Sequence, residues 1–341
     1  MIELFNGLFS ADKFVEVYVL PHKNCPRLLF TGDGSHDRWM YSSFYPAFKK
    51  SAKLYRLYLR AKATIGAIDT MKVKLNDNEI KKYLSGVVDN YSSISVLVGT
   101  PGPAQKITIQ IWNEGKVLAY IKYAENKVAI EKLNQEHKIL SNELVRGIGP
   151  KTYKYDNLME GKALLISPVK GSQIPAKLNR VNNLDETLNY LLTKEYFHVD
   201  NHPWIIRLSK NYEDIINPLL VHLSQKKWHK TIIHGDFAPW NIFIDDYNML
   251  SVIDWEYGDL NGFPYIDKAY FILQTSMLVK NWKPSKAKNH AIKILSNELT
   301  HKESYAIVML AALMGYDNAK HDGHDDNSVH QLWRKSILYK E

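Results

Sequence analysis

Three side chains, Asp236, Asn241 and Asp254, have types and spacings suited to chemistry on charged oxygen. Asp236 and Asn241 lie five residues apart in His234-Gly235-Asp236-Phe237-Ala238-Pro239-Trp240-Asn241. Asp254 follows thirteen residues after Asn241, in Ser251-Val252-Ile253-Asp254-Trp255-Glu256. Magnesium takes hard oxygen ligands, commonly one or two carboxylates with phosphate oxygens and water. Asn241 and Asp254 fit that role, which leaves Asp236 to accept or orient the proton of an attacking hydroxyl. These are the demands of phosphoryl transfer, where a protein positions the acceptor, holds the metal and neutralises phosphate charge.

The flanking residues supply the elements that such a site needs. Thr231-Ile232-Ile233 leads into the octet and Ile242-Phe243-Ile244 leads out. Asp245-Asp246-Tyr247-Asn248 reads as a turn, and Met249 to Ile253 as a second short apolar run ending at Asp254. Two short buried strands joined by a polar turn would gather Asp236, Asn241 and Asp254 around one cleft.

The octet followed by Val252-Ile253-Asp254-Trp255-Glu256 resembles the phosphotransferase family that includes aminoglycoside phosphotransferases and choline kinases. Its pattern of His-x-Asp, a later Asn and then Ile-Asp-Trp is similar to the protein-kinase catalytic loop and metal-binding Asp. The resemblance runs over roughly residues 93–314 and implies an α+β chain with a bilobal protein-kinase-like fold. A small antiparallel-sheet lobe would bind the nucleotide, and a larger, mainly helical lobe would carry catalysis. It also implies ATP or GTP as donor, Mg2+ as metal, and a hydroxyl of a small molecule as acceptor. His234 is then a structural residue that pins the loop, and Asp267 is structural as well. Gly235 stands where protein kinases place an Arg that reads a phosphorylated loop, so that form of control is missing.

Composition sets the frame. A chain of 341 residues is long for one domain. With 45% hydrophobic and 23% charged residues it reads as an ordinary soluble globular protein. No apolar run approaches a membrane span, and the N-terminus lacks the pattern of a secretory signal. Cys25 is the sole cysteine, which excludes an intrachain disulfide and a multi-cysteine metal site. The default location is cytoplasmic. The formal charge of +8 comes from scattered Lys and Arg with no recognised nucleic-acid motif, so nucleic acid is not the expected partner. A basic balance also suits a protein that handles nucleotide phosphates.

Three segments follow: an N-terminal α/β extension at residues 1–90, a nucleotide-binding lobe at 91–170 and a helical catalytic lobe at 171–341. In the first, Phe14 to Leu20 and Arg27 to Phe30 read as strands. Pro46 to Ala63 reads as a helix in which Phe48, Leu54, Tyr55, Leu57, Tyr58 and Leu59 lie among basic residues. That helix is expected to pack on its own domain, with an anionic partner or membrane surface as the other reading. A further helix is expected near Asn78 to Val88.

In the second segment, five strands are expected at Ser93–Gly99, Lys106–Trp112, Val117–Ala124, Lys151–Tyr155 and Ala163–Ser167. A helix from Asn126 to Val145 carries Ala129, Leu133 and Leu140 on one stripe, and Glu136 falls on that stripe. A carboxylate on a packing face needs a partner, and Lys122 on the preceding strand is the natural one. The resemblance implies the same pair, with Lys122 reaching the nucleotide phosphates. It further implies that Gly99 and Gly102 cover those phosphates, and that the link from Ser167 to Val169 holds the base.

In the third segment, helices are expected at Leu184–Lys194, Asn211–Lys227, Tyr265–Lys280, Lys286–Leu299 and Glu303–Met314. Only a short polar stretch separates Asp254 from the next apolar helix, too short to hold a peptide. The acceptor is therefore a small molecule, with Trp240, Glu256 and Asp259 as candidate contacts. Acidic and aromatic groups suit a sugar or aminosugar, the first choice of acceptor, with choline or ethanolamine as the runner-up. A catalytically silent binding protein would be marked by loss of Asp236, Asn241, Asp254 or Lys122, and all four are present. The cluster Asp322-Gly323-His324-Asp325-Asp326, with His321 and His330, lacks a tetrahedral ligand spacing and reads as a polar loop before a last helix.

Overall fold

A computed structural model describes residues 5, 7–32, 34–88, 90–175 and 184–339. The chain divides into two compact units, one of residues 1–137 and 150–168, the other of 138–149 and 169–341.

The first unit is built on a single antiparallel sheet. Its elements are β1 (Val15–His22), β2 (Cys25–Phe30), α1 (Ser35–Tyr41), α2 (Lys50–Thr64), β3 (Thr70–Val73), α3 (Asp77–Leu84), β4 (Ser93–Val98), β5 (Ile107–Asn113), β6 (Lys116–Ala124), α4 (Lys127–Leu140), β7 (Thr152–Leu158) and β8 (Gly161–Ile166). Helix α4 runs on into the first residues assigned to the second unit.

The five expected strands are all present, but the sheet does not stop at five. Its order is β3-β1-β2-β4-β5-β6-β8-β7, so three strands from residues 1–90 continue it beyond β4. The join is a regular ladder in which Leu28, Leu29 and Phe30 face Leu97, Val96 and Ser95. Alternation along β1, β2 and β4 explains it. Val17, Val19, Leu29, Ile94 and Val96 belong to the same apolar core as Ile109, Ile121 and Leu165. Leu20, Leu28, Phe30 and Trp112 instead form a second core beneath α1 and α2. Helix α2 begins at Lys50 rather than Pro46 and rests on that second core through Leu59 and Ala63.

The second unit is mainly helical. It contains α5 (Glu143–Arg146), β9 (Ser172–Gln173), α6 (Leu184–Tyr190), β10 (Leu192–His198), α7 (Pro203–Leu223), β11 (Lys227–Ile233), β12 (Ile242–Ile244), β13 (Leu250–Val252), β14 (Asp259–Gly262), α8 (Ile266–Gln274), α9 (Pro284–Leu295), α10 (His301–His321) and α11 (Val329–Tyr339). Helix α8 continues into a π-helical turn at Thr275–Val279.

Two of the expected helices depart from their bounds for identifiable reasons. The helix starting at Leu184 ends at Tyr190, and Leu192 opens a strand whose Thr193, Tyr196 and Phe197 favour extended backbone. The helix expected to start at Asn211 starts eight residues earlier, at Pro203. His202 caps it by accepting the Trp204 N–H on Nδ1, and proline suits the first turn. Helix α10 is the central rod of this unit. It carries a full capping box, in which Thr300 and Glu303 satisfy each other's backbone N–H groups. Ala306 to Met314 are buried all round it. Among the described residues no helix is long and apolar enough to cross a membrane.

Candidate active site

In the second unit, β11 delivers the chain to His234, and the β12–β13 hairpin carries it from Asn241 to Asp254. Ile242 pairs with Val252, and the Ile253 N–H donates to the Asn241 carbonyl at 2.9 Å, extending the ladder to both ends of the site. The loop between β11 and β12 is fixed by its own side chains. His234 is fully buried, with its ring 4.7 Å from that of Trp255 in a T-shaped contact. Its Nδ1 receives the Asp236 N–H at 3.2 Å, so Nε2 carries the proton and donates to the Ile253 carbonyl at 2.8 Å. That arrangement uses both ring nitrogens and makes His234 the tie between the loop and the hairpin.

Asp267, at the start of α8, holds the loop from below. Its two carboxylate oxygens accept the N–H groups of His234 and Gly235 at 2.6 and 3.0 Å. Burial pushes its pKa up to about 7, against the pull of those two donors. Gly235 has φ of +77°, and a Cβ there would sit 2.3 Å from the Tyr257 carbonyl oxygen. Glycine is therefore a steric requirement of the turn, which gives a local reason for the missing arginine. Asp254 is itself left-handed, at φ +69°, a conformation that a non-glycine residue keeps only when its surroundings impose it.

Asp236 is half-buried and held from two sides. Asn241 donates Nδ2 to its Oδ2 and its carbonyl oxygen, both at 3.0 Å, and the Tyr270 hydroxyl donates to its Oδ1 at 3.0 Å. Burial first, and the neighbouring Asp254 second, raise the Asp236 pKa to about 7. The two hydrogen bonds and Arg334 act in the opposite direction. Burial and the same carboxylate hold Tyr270 well above the ordinary tyrosine range, so it remains a hydrogen-bond donor.

Asp236 lines a cavity of about 240 Å³. Tyr257, Tyr270, Gln274, Asn318, Asp322 and Arg334 also line it, as do Trp240, His324 and His330. Tyr270, Gln274, Asn318 and Arg334 come from α8, α10 and α11, and nothing local in the sequence marks them. Tyr270, Asn318 and Arg334 are single polar residues within amphipathic helices, tens of residues from the motif. Asp322 and His324 belong to the acidic and histidine-rich cluster near the C-terminus, which forms part of the cavity wall. Tyr257 donates its hydroxyl to Asp322, and Asn318 donates to the Gly235 carbonyl at 3.2 Å. Of the three expected acceptor contacts, Trp240 lines the cavity and Glu256 and Asp259 do not. Asp259 is paired with Arg207 and accepts the Asn261 N–H at 2.9 Å.

The donor set suits magnesium. Asn241 turns its Nδ2 to Asp236, which leaves its amide oxygen for a metal, and Asp254 supplies a carboxylate whose repulsion of Asp236 a cation would relieve. Among the described residues no three His, Cys, Asp or Glu side chains converge on one point. Phosphate oxygens and water would complete a magnesium shell begun by one amide and one carboxylate.

The first unit carries the other candidates. Lys122 on β6 donates Nζ to both oxygens of Glu136 on α4, at 2.6 and 2.8 Å, with Glu136 fully buried. The Gly99 N–H donates to the Lys106 carbonyl, and a Cβ on Gly99 would lie 2.5 Å from that oxygen. Gly99 thus closes the β4–β5 connection, while Gly102 sits at its open tip, where a Cβ would meet nothing within 4 Å. Ser167 is pinned to Lys151, its hydroxyl accepting the Lys151 N–H at 2.9 Å and its own N–H donating to the Lys151 carbonyl. Val169 is half-buried at the start of the stretch assigned to the second unit.

The fold defines a protein-kinase-like architecture. Residues 173–285 match the family model described as the phosphotransferase enzyme family, a span that contains the whole His234–Asn241 loop and Asp254. The matched segment is the one on which the sequence resemblance rests, with the octet and Ile253-Asp254-Trp255 inside it. Its fold is similar to that of choline kinase LicA from Streptococcus pneumoniae, with a TM-score of 0.52 and 16% identity over 77% of this chain and 96% of that one. It is also matched by a thermostable mutant of aminoglycoside phosphotransferase APH(4)-Ia, with a TM-score of 0.48 and 13% identity over 76% and 98% of the two chains. No curated protein sequence matches.

Proposed function

We propose that the protein transfers the terminal phosphate of ATP or GTP to a hydroxyl of a small molecule, with a sugar or aminosugar as the acceptor that its polar walls favour. The carrying observation is Asp236, oriented by Asn241 and Tyr270 at the wall of a cavity rich in amide, hydroxyl and carboxylate groups. In this reading the acceptor hydroxyl sits against Asp236. Its oxygen bonds to the terminal phosphorus, the bond from phosphorus to the bridging oxygen breaks, and the hydroxyl proton passes to Asp236. Tyr270 and Asn241 keep the carboxylate aimed, and His234 and Asp267 keep the loop rigid. Asn241 and Asp254 would hold Mg2+, which would neutralise charge on the phosphates. Lys122, fixed by Glu136, would contact the donor's phosphates, and the residues around Gly99, Gly102, Ser167 and Val169 would enclose the nucleotide.

A choline- or ethanolamine-type acceptor is the second reading, favoured by the Trp240, Tyr257 and Tyr270 rings in the same cavity. Arg334 on that wall disfavours a permanently cationic acceptor and tilts the choice toward a polyhydroxylated one.

The test is thermal unfolding with Mg2+ and ATP or GTP, on the parent and on Asp254→Asn. A ligand at about a hundred times its dissociation constant adds roughly 2.7 kcal/mol of stability. The parent is expected to shift upward and Asp254→Asn to stay put. A parent that unfolds at the same temperature with and without either nucleotide overturns the proposal. Turnover of sugars, aminosugars, choline and ethanolamine then ranks the acceptors.

A further inference from the structure

Helix α2 is buried on its small side and exposed on its large one. Leu59 and Ala63 face the core, whereas Leu54, Leu57, Tyr58 and Ile65 point outward. Leu54 is 69% exposed and Ile65, just past the helix end, 78%. At 100° per residue, Leu54, Tyr58 and Ile65 fall within one narrow stripe, with Leu57 at its edge. Tyr55 is exposed next to Tyr58, the two rings stacking at 6.3 Å, and Phe48 is exposed just before the helix. The expectation that this helix buries its apolar residues against its own domain holds for one face only.

The charges are arranged around that stripe with a clear division. Arg60 is used internally, with its guanidinium 3.8 Å from the Trp39 ring and hydrogen-bonded to the Trp39 carbonyl. Arg56 reaches the Tyr45 carbonyl. The lysines face outward: Lys49, Lys50 and Lys53 are exposed on one side, and Lys62 lies on the other beside Tyr58. Residues 45–68 contain four Lys, two Arg and no Asp or Glu.

We propose that this face of α2 docks on an anionic lipid surface, with Leu54, Leu57, Tyr58 and Ile65 entering the headgroup boundary and the flanking lysines contacting anionic headgroups. An apolar stripe bordered by lysine, with aromatic residues at the polar edge, is the composition of a helix lying in a membrane interface. Charge complementarity selects this occupant. A second copy of the chain would bring Lys50, Lys53 and Lys62 against their own kind. A nucleic acid would match the lysines but leave three aliphatic side chains without a role.

The experiment is co-sedimentation of the full chain with vesicles of phosphatidylcholine alone and of roughly 70% phosphatidylcholine with 30% phosphatidylserine, at about 0.1 and 0.5 M salt. Binding to the anionic vesicles is expected to exceed binding to the neutral ones by about tenfold or more, and to fall at high salt. The variants Leu54→Ser/Leu57→Ser/Tyr58→Ser and Lys50→Glu/Lys53→Glu should each lose it while unfolding at the parent temperature, because all five residues are exposed. Absence of binding to anionic vesicles overturns the proposal. So does binding that ignores the Ser substitutions, which would mark a purely polyanionic site. So does a concentration-dependent dimer in sedimentation velocity that those substitutions abolish, which would show the stripe covered by a second copy.

Discussion

Lys122 with Glu136 and Asp236 with Asp254 are two pairs of charged groups with opposite electrostatic design. The first closes on itself: two short hydrogen bonds join an ammonium to a fully buried carboxylate. The second sets two carboxylates near each other, and burial of Asp236 first, with Asp254 second, raises its pKa to about 7. A compensated pair needs nothing more to be stable. A like-charged pair is at a disadvantage until a cation or a proton arrives, which is the behaviour expected of groups kept for chemistry. The contrast supports reading Lys122 and Glu136 as preorganisation, and Asp236 and Asp254 as the reacting and metal-holding side.

The strongest way to break that contrast is Asp236→Asn. Turnover should fall by about 10² to 10⁴, with nucleotide-dependent thermal stabilisation retained. Without ligand, the same variant should be more stable than the parent at pH 8 and lose that advantage at pH 4. The sign follows from the raised pKa: the folded protein binds the Asp236 proton more tightly than the unfolded chain, so its contribution is present below about pH 4 and lost as pH rises through about 7. Denaturant unfolding at the two pH values checks it.

Breaking the compensated pair should cost nearly as much, but in stability. Lys122→Met leaves Glu136 charged and buried, and should destabilise by about 3–5 kcal/mol in urea unfolding. Lys122→Met with Glu136→Leu should recover most of that loss while remaining without turnover, which separates the structural share of the pair from its proposed contact with nucleotide.

A smaller and sharper test is Arg334→Met. Arg334 lowers the Asp236 pKa, so its loss should move the acidic limb of kcat/KM to higher pH, with activity declining earlier as pH falls. Tyr270→Phe should have the mildest effect, removing one donor to Asp236 and costing roughly 1.5–3 kcal/mol in transition-state stabilisation at most, read from kcat.

The parts of this design that were legible in the sequence are those written within a few residues of each other. His234 to Asn241 and Asp254 share one hairpin, so their spacing exposed them, and Glu136 announced its partner by interrupting an apolar stripe. The cavity beside Asp236 was not legible for the converse reason. Its wall is built largely from Tyr270, Asn318 and Arg334, which only tertiary packing of α8, α10 and α11 brings to Asp236. Asp259 shows the limit of proximity in sequence, since Arg207, 52 residues earlier, takes its carboxylate. Residues 192–198 show the limit of helical periodicity, because a short segment with apolar residues at mixed intervals becomes a strand once β11 is available to pair with it.

The ladder between β2 and β4 has a consequence for solubility. Ser93–Val98 reads Ser-Ile-Ser-Val-Leu-Val, with no charge and no proline, and β2 covers the edge that would otherwise present its unpaired N–H and C=O groups to other molecules. A chain trimmed to start at residue 91 would expose that strand as a template for self-association. The three N-terminal strands therefore act as a permanent guard on the stickiest edge of the sheet, and a minimal catalytic fragment is expected to aggregate.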